Sequence, residues 1–168
     1  MKKKNGFSLI ELLIVVAIIL IIVAIAIPDM LKARMAANQA SAVASLRTIN
    51  SAEVAYASTY NTGYSATLAQ LDGIGPVATI ANAELIDDVL GAGQKSTYTF
   101  LYVSCPAAPG PNTGAMANGA CAFVSFYQVS ANPPAGIGAG NFYYTDPSGV
   151  IRQNSTTAAG PADSPSPA

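Results

Sequence analysis

The chain has 168 residues, of which 51% are hydrophobic and 10% charged, and its net charge is −1. A soluble domain carries about a quarter charged residues, so part of this chain is expected outside water. The absence of His excludes a His-based triad or His metal site. With three of the eight basic residues at Lys2, Lys3 and Lys4, no basic patch remains to make nucleic acid a main partner.

Residues 7–27 read FSLIELLIVVAIILIIVAIAI, 21 residues with Ser8 and Glu11 as the polar ones. At about 1.5 Å per residue such a helix spans a hydrocarbon core of about 30 Å. Lys2, Lys3 and Lys4 stand before it and Lys32 and Arg34 behind it. The positive-inside rule therefore favours a cytoplasmic N-terminus. A cleaved secretory signal fits less well. Its apolar region runs about 7–15 residues and ends at a small-residue site, whereas this run is longer and leads into Pro28-Asp29 and a patterned helix.

Glu11 stands out. A carboxylate one turn inside an apolar helix costs a few kcal/mol unless it is paired, neutralised or able to snorkel to the interface. Downstream, the nearest cations are Lys32 and Arg34, about 30 Å away along a helix. A cationic partner must come from the N-terminal part of the chain or from another molecule.

The stretch Lys2-Lys3-Lys4-Asn5-Gly6, followed by Phe7-Ser8-Leu9-Ile10-Glu11 and the apolar run, resembles the cleavage and methylation motif of type IV prepilins and type II secretion pseudopilins. The likeness is close over residues 1 to about 35 and looser to Tyr60. It implies that residues 1–6 are a leader cut after Gly6 by an inner-membrane prepilin peptidase. It implies that Phe7 becomes the N-terminus and is N-methylated. It also implies that Glu11 meets the Phe7 amine of a neighbouring subunit during assembly.

Pro28 interrupts the apolar run, and a helix starting there or bending there is expected. From Asp29 to Tyr60 there is no Gly or Pro, and Met35, Ala42, Leu46, Ile49, Tyr56 and Tyr60 recur at helical spacing, with Gln39 and Glu53 on the same stripe. This face is expected to pack on a globular head, and Asn61 and Gly63 to end the helix. The long helix divides into a transmembrane part, 7–27, and an amphipathic part, 28–60. Unbroken, it would be about 80 Å long, and a head of this size covers only its second half. Tyr56, Tyr60 and Tyr64 are read as core and interface residues.

The head is expected over 61–153. Ser65 and Asn82 are candidate caps for short helices over 66–71 and 83–90. Residues 97–104, 122–130, 141–145 and 149–153 carry strand signals, the last two around an Asp146-Pro147-Ser148-Gly149 turn. An antiparallel sheet of three or four strands on the long helix follows, an α+β arrangement that agrees with the pilin-like fold. Cys105 and Cys121, the chain's two cysteines, are expected to face each other and form a disulfide outside the cytosol, the other reading being two buried thiols. In many pilins the bridge lies nearer the C-terminus, so a receptor-binding role is not carried over to this loop. The tail, 154–168, is polar and expected to be disordered.

Asp87-Asp88 is the paired acid of the chain and reads as a solvated helix face, not a calcium loop. No nucleophile has a visible base, so the chain is not read as an enzyme, and no cofactor or metal is expected. The resemblance implies a structural subunit made as a single-pass inner-membrane precursor. It would polymerise with itself, through a pilus assembly machinery, into an extracellular fimbrium for adhesion, motility or DNA uptake. The alternative is a pseudopilin of a type II secretion system, forming a periplasmic pseudopilus, although the acidic calcium loop usual in the major pseudopilin is not evident. A non-polymerising, membrane-anchored binding protein is the remaining reading, and the Gly6-Phe7 junction and Glu11 argue against it.

Overall fold

The computed structural model describes residues 8–73, 77–104, 124–134 and 140–166. The chain divides into two units, Met1–Ala37 and Asn38–Ala168. A single helix, α1 (Leu9–Tyr60), contributes to both.

In the first unit, α1 begins after Ser8, and every described residue through Arg34 is exposed. Its Ile and Val residues favour helix only weakly in water. In lipid, where no water satisfies the backbone, the helix is the form in which one segment pairs all its own amides. Its most apolar 18-residue window has a mean hydropathy of 3.4. The segment is long and apolar enough to cross a membrane by length and composition. Pro28 lies inside α1, which continues through it. Because proline has no N–H, the Ala24 carbonyl is left without its usual helical donor there.

In the second unit, α1 buries Ala42, Ser45, Leu46, Ile49, Ala52, Glu53 and Tyr56. These steps of three and one residues trace a single helical face. The helix ends where Asn61 takes a left-handed conformation (φ 52°), with its N–H bonded to the Ala57 carbonyl at 3.2 Å. Gly63 follows at φ 83°. A Cβ on it would lie 2.2 Å from the Val124 carbonyl oxygen, which accepts the Tyr64 N–H at 2.9 Å. Glycine is needed at that close approach.

Five antiparallel strands form one sheet in sequence order: β1 (Gln94–Lys95), β2 (Tyr98–Ser104), β3 (Tyr127–Asn132), β4 (Phe142–Thr145) and β5 (Arg152–Asn154). The sheet therefore has one strand more than the three or four expected. The additional strand, β1, folds back on β2 through Ser96 and Thr97, both with positive φ (50° and 70°). β5 starts at Arg152, because Gly149 is held in the turn by its N–H on the Asp146 carbonyl at 2.9 Å. Tyr98 and Phe100 of β2, Tyr127, Val129 and Ala131 of β3 and Tyr143 of β4 join the helix stripe in one core. Their spacing of two is that of one sheet face.

The two short helices are smaller than expected. A 3-10 turn covers Leu68–Gln70, and α2 covers Asp88–Gly91. Ser65 does not cap, since its hydroxyl contacts Glu53. The 83–90 stretch opens as a strap. Glu84 adopts φ 54°, and the Ala83, Glu84 and Leu85 amides bond back to the Gln70, Asp72 and Leu71 carbonyls.

The tail also departs from expectation. Beyond β5 it turns back, buries Ala159 (2% exposed) and bonds to Ile151 and Gln153. Small residues with little apolar mass are ordered here by backbone hydrogen bonds to the sheet edge. Cys105 and Cys121 lie outside the described residues, as do Gly6 and Phe7.

Candidate assembly site

The N-terminal end of α1 is built around Ser8 and Glu11. The Glu11 and Leu12 amides bond to the Ser8 carbonyl at 3.1 and 3.3 Å, forming the first turn. The Glu11 carboxylate reaches back, and its Oε2 accepts the Ser8 N–H at 2.9 Å. This is half of a capping box: an acid three positions after the cap residue satisfies an amide that the helix leaves unpaired. The negative charge also complements the positive end of the helix dipole. Glu11 therefore has a hydrogen-bond partner on its own helix.

The partner is a neutral amide, and the charge remains uncompensated by it. Among the described residues the ion pairs are Asp29–Lys32 at 3.8 Å and Asp87–Lys95 at 3.0 Å, and neither involves Glu11. Around Glu11 the apolar side chains are bare, with Leu9 79%, Ile10 63% and Leu12 59% exposed. The carboxylate is thus held, by its bond to the residue 8 amide, at the end of the apolar helix nearest the Gly6-Phe7 junction.

In the second unit a different acid is enclosed. Glu53 has no exposed surface. Its Oε2 accepts the Ser65 N–H at 2.8 Å, and its Oε1 is 2.7 Å from the Ser65 Oγ and 2.5 Å from the Tyr102 hydroxyl. Burial pushes the Glu53 carboxyl above its ordinary value, against the opposing pull of the Ser65 hydroxyl, Tyr102 and the Ser65 amide. Burial, and then the neighbouring Glu53, raises Tyr102 as well.

The site also accommodates a neutral carboxyl. The Tyr102 hydroxyl lies 2.8 Å from the Ser65 carbonyl, and the Ser65 Oγ lies 3.1 Å from the Thr67 carbonyl. Each hydroxyl can donate there while Glu53 donates from Oε1, leaving no donor unpaired. The cluster ties α1, the segment after it and β2 at one buried point. Its sequence signal was one acid on a largely apolar stripe. Ser65 and Tyr102 carried no signal, because only folding brings them to Glu53.

The tyrosines pack as core residues. Tyr56 and Tyr60 have centroids 4.8 Å apart, and Tyr64 meets Tyr127 edge-on at 4.8 Å. The Tyr56 hydroxyl donates to the Ile80 carbonyl at 2.7 Å.

Residues 1–27 match the family described as "Prokaryotic N-terminal methylation motif". Over 82 residues, 49% of this chain, the sequence is 40% identical to the type IV wide pilus major component PilA4 of Thermus thermophilus. The matched stretch spans 62% of that relative, less than two thirds of its length. No solved structure matches the chain.

Proposed function

We propose that this chain is a type IV pilin, the precursor of a subunit that polymerises into a surface filament, a reading supported by the methylation motif over residues 1–27 and by the likeness to a wide-pilus component. In this reading residues 1–6 are a leader and a prepilin peptidase cuts between Gly6 and Phe7. The new Phe7 amine is methylated. Residues 7–27 hold the precursor in the inner membrane as a single pass with its N-terminus cytoplasmic. Pro28, with its missing helical bond, is the point where the long helix yields on packing. Copies of the chain, delivered by an assembly machinery, then form a fibre serving adhesion, motility or DNA uptake.

The observation that carries this reading is Glu11, fixed at the start of an exposed apolar helix with an amide for company and outside both ion pairs found among the described residues. An apolar helix with no covered face needs lipid or other helices around it. A carboxylate among those helices attracts a cation strongly in low dielectric, and either partner alone is penalised. The Phe7 amine of a neighbouring copy is a cation at the same level. The pair then sets the register between subunits more than it adds net stability. The wide-pilus assignment of the Thermus relative favours a pilus over a secretion pseudopilus.

Two measurements test this. Mass spectrometry of the mature protein is expected to find an N-terminal methylated Phe7, and an intact Met1 would overturn the reading. Electron microscopy of cells making Glu11→Ala is expected to show loss of fibres. Normal fibres would remove Glu11 from the assembly contact.

A further inference from the structure

The outer edge of β5 is occupied by the chain's own C-terminal stretch. On its inner side β5 pairs with β4, Tyr144 against Arg152 and Phe142 against Asn154. On its outer side the Gln153 N–H donates to the Ser164 carbonyl at 2.9 Å, and the Ser166 N–H donates to the Ile151 carbonyl at 2.7 Å. These two bonds flank the antiparallel bridge Arg152↔Pro165. Pro165 therefore sits at a non-hydrogen-bonded position, where its missing N–H costs the ladder nothing. Along a strand both backbone groups of one residue point to the same side. Ser164 and Ser166 face β5, so the residue facing outward is Pro165. The outer face of this added strand offers no donor there.

The return is pinned by Asp163. Its Oδ1 accepts the Asn154 Nδ2 at 3.1 Å and its Oδ2 accepts the Gly160 N–H at 2.7 Å. The Asp163 N–H closes a turn on the Gly160 carbonyl at 3.1 Å. Ala159, 2% exposed, anchors the start of the segment.

We propose that residues 159–166 are a guard strand, covering the β5 edge so that it does not pair with the β5 edge of a second copy of this chain. An uncovered edge is a template for another strand, and proline on an outer strand blocks extension. The second copy is the occupant because the freed groups, the Ile151 carbonyl and the Gln153 N–H, are one donor and one acceptor that an antiparallel copy of the same edge can meet. The inference rests on the sheet edge and stands apart from the filament reading.

The test uses the full-length precursor in detergent beside a variant lacking residues 158–168. Light scattering on the eluting micelles is expected to show the full chain as the smaller species and the truncated chain at twice its protein mass or more. A truncated chain that keeps its strand content and elutes at the mass of the full chain overturns the proposal. If truncation unfolds the head, Asp163→Ala decides it. Hydrogen exchange in the peptide covering 150–157 is expected to be about tenfold faster with the pin removed, with a rising share of the larger species at high concentration. Unchanged exchange, or faster exchange with no larger species, overturns it.

Discussion

Glu53 is wholly buried and held by an amide and two hydroxyls, with no cation among the contacts described. Its folded-state carboxyl lies above the ordinary value of 4.5, chiefly because burial disfavours the charge. Below 4.5 the carboxyl is protonated both folded and unfolded, and its contribution to stability is fully present. As pH rises from there, the unfolded chain gives up its proton first, and the contribution is lost through the folded-state value. Each tenfold difference in proton affinity is worth ~1.4 kcal/mol. Glu53→Gln cannot ionise, and its amide can donate to the hydroxyls as the neutral acid does. Its thermal midpoint by circular dichroism is therefore expected to match the parent near pH ~4 and to exceed it increasingly toward pH ~7. A parent whose midpoint rises over that range relative to the Gln variant would show that Glu53 is stabilised as the anion. Of the two acids, Glu11 was conspicuous in the sequence because its neighbours are apolar. The environment of Glu53 was not legible, because Ser65 looks like a helix cap until folding gives its hydroxyl to the carboxylate.

Helix α1 is one element with two kinds of surface. Leu46 is fully buried in the head core, while Leu20 is 62% exposed. Leu46→Ala leaves a cavity and is expected to cost about 2–5 kcal/mol, lowering the midpoint of the head measured in detergent. Leu20→Ala is expected to leave that midpoint unchanged. Equal effects would mean that the two stretches of α1 do not differ in what they pack against. The periodicity that separates these stretches was plain in the sequence, since a buried stripe and an unbroken apolar run differ in pattern. The β1–β2 hairpin was not. Such turns need positive φ and usually announce themselves as Asn-Gly, whereas Ser96 and Thr97 occupy this one. Both side chains reach α1, the Ser96 Oγ lying 2.7 Å from the Ser41 Oγ and the Thr97 Oγ1 accepting the Asn38 amide at 3.2 Å. These contacts offset the backbone strain and have no local signature.

For the whole molecule, the proposed assembly residue Glu11 and the head core fall in different units, Met1–Ala37 and Asn38–Ala168. Glu11→Ala is expected to abolish fibres while leaving the thermal midpoint of the head unchanged, because the head core draws on none of residues 8–34. A head that melts earlier in this variant would mean that Glu11 acts in folding. The membrane-length helix and the α+β class were readable from the amino-acid order, because they depend on length, spacing and residue type within single segments, and the methylation motif over residues 1–27 was readable through its resemblance to a family. The closed Glu53 cluster, the strap over 83–87, the fifth strand and the returning tail were not. Each depends on a donor and an acceptor far apart in the chain, such as the Ser166 amide and the Ile151 carbonyl. Local pattern carries no record of which distant group will be there to receive a hydrogen bond once the core has closed.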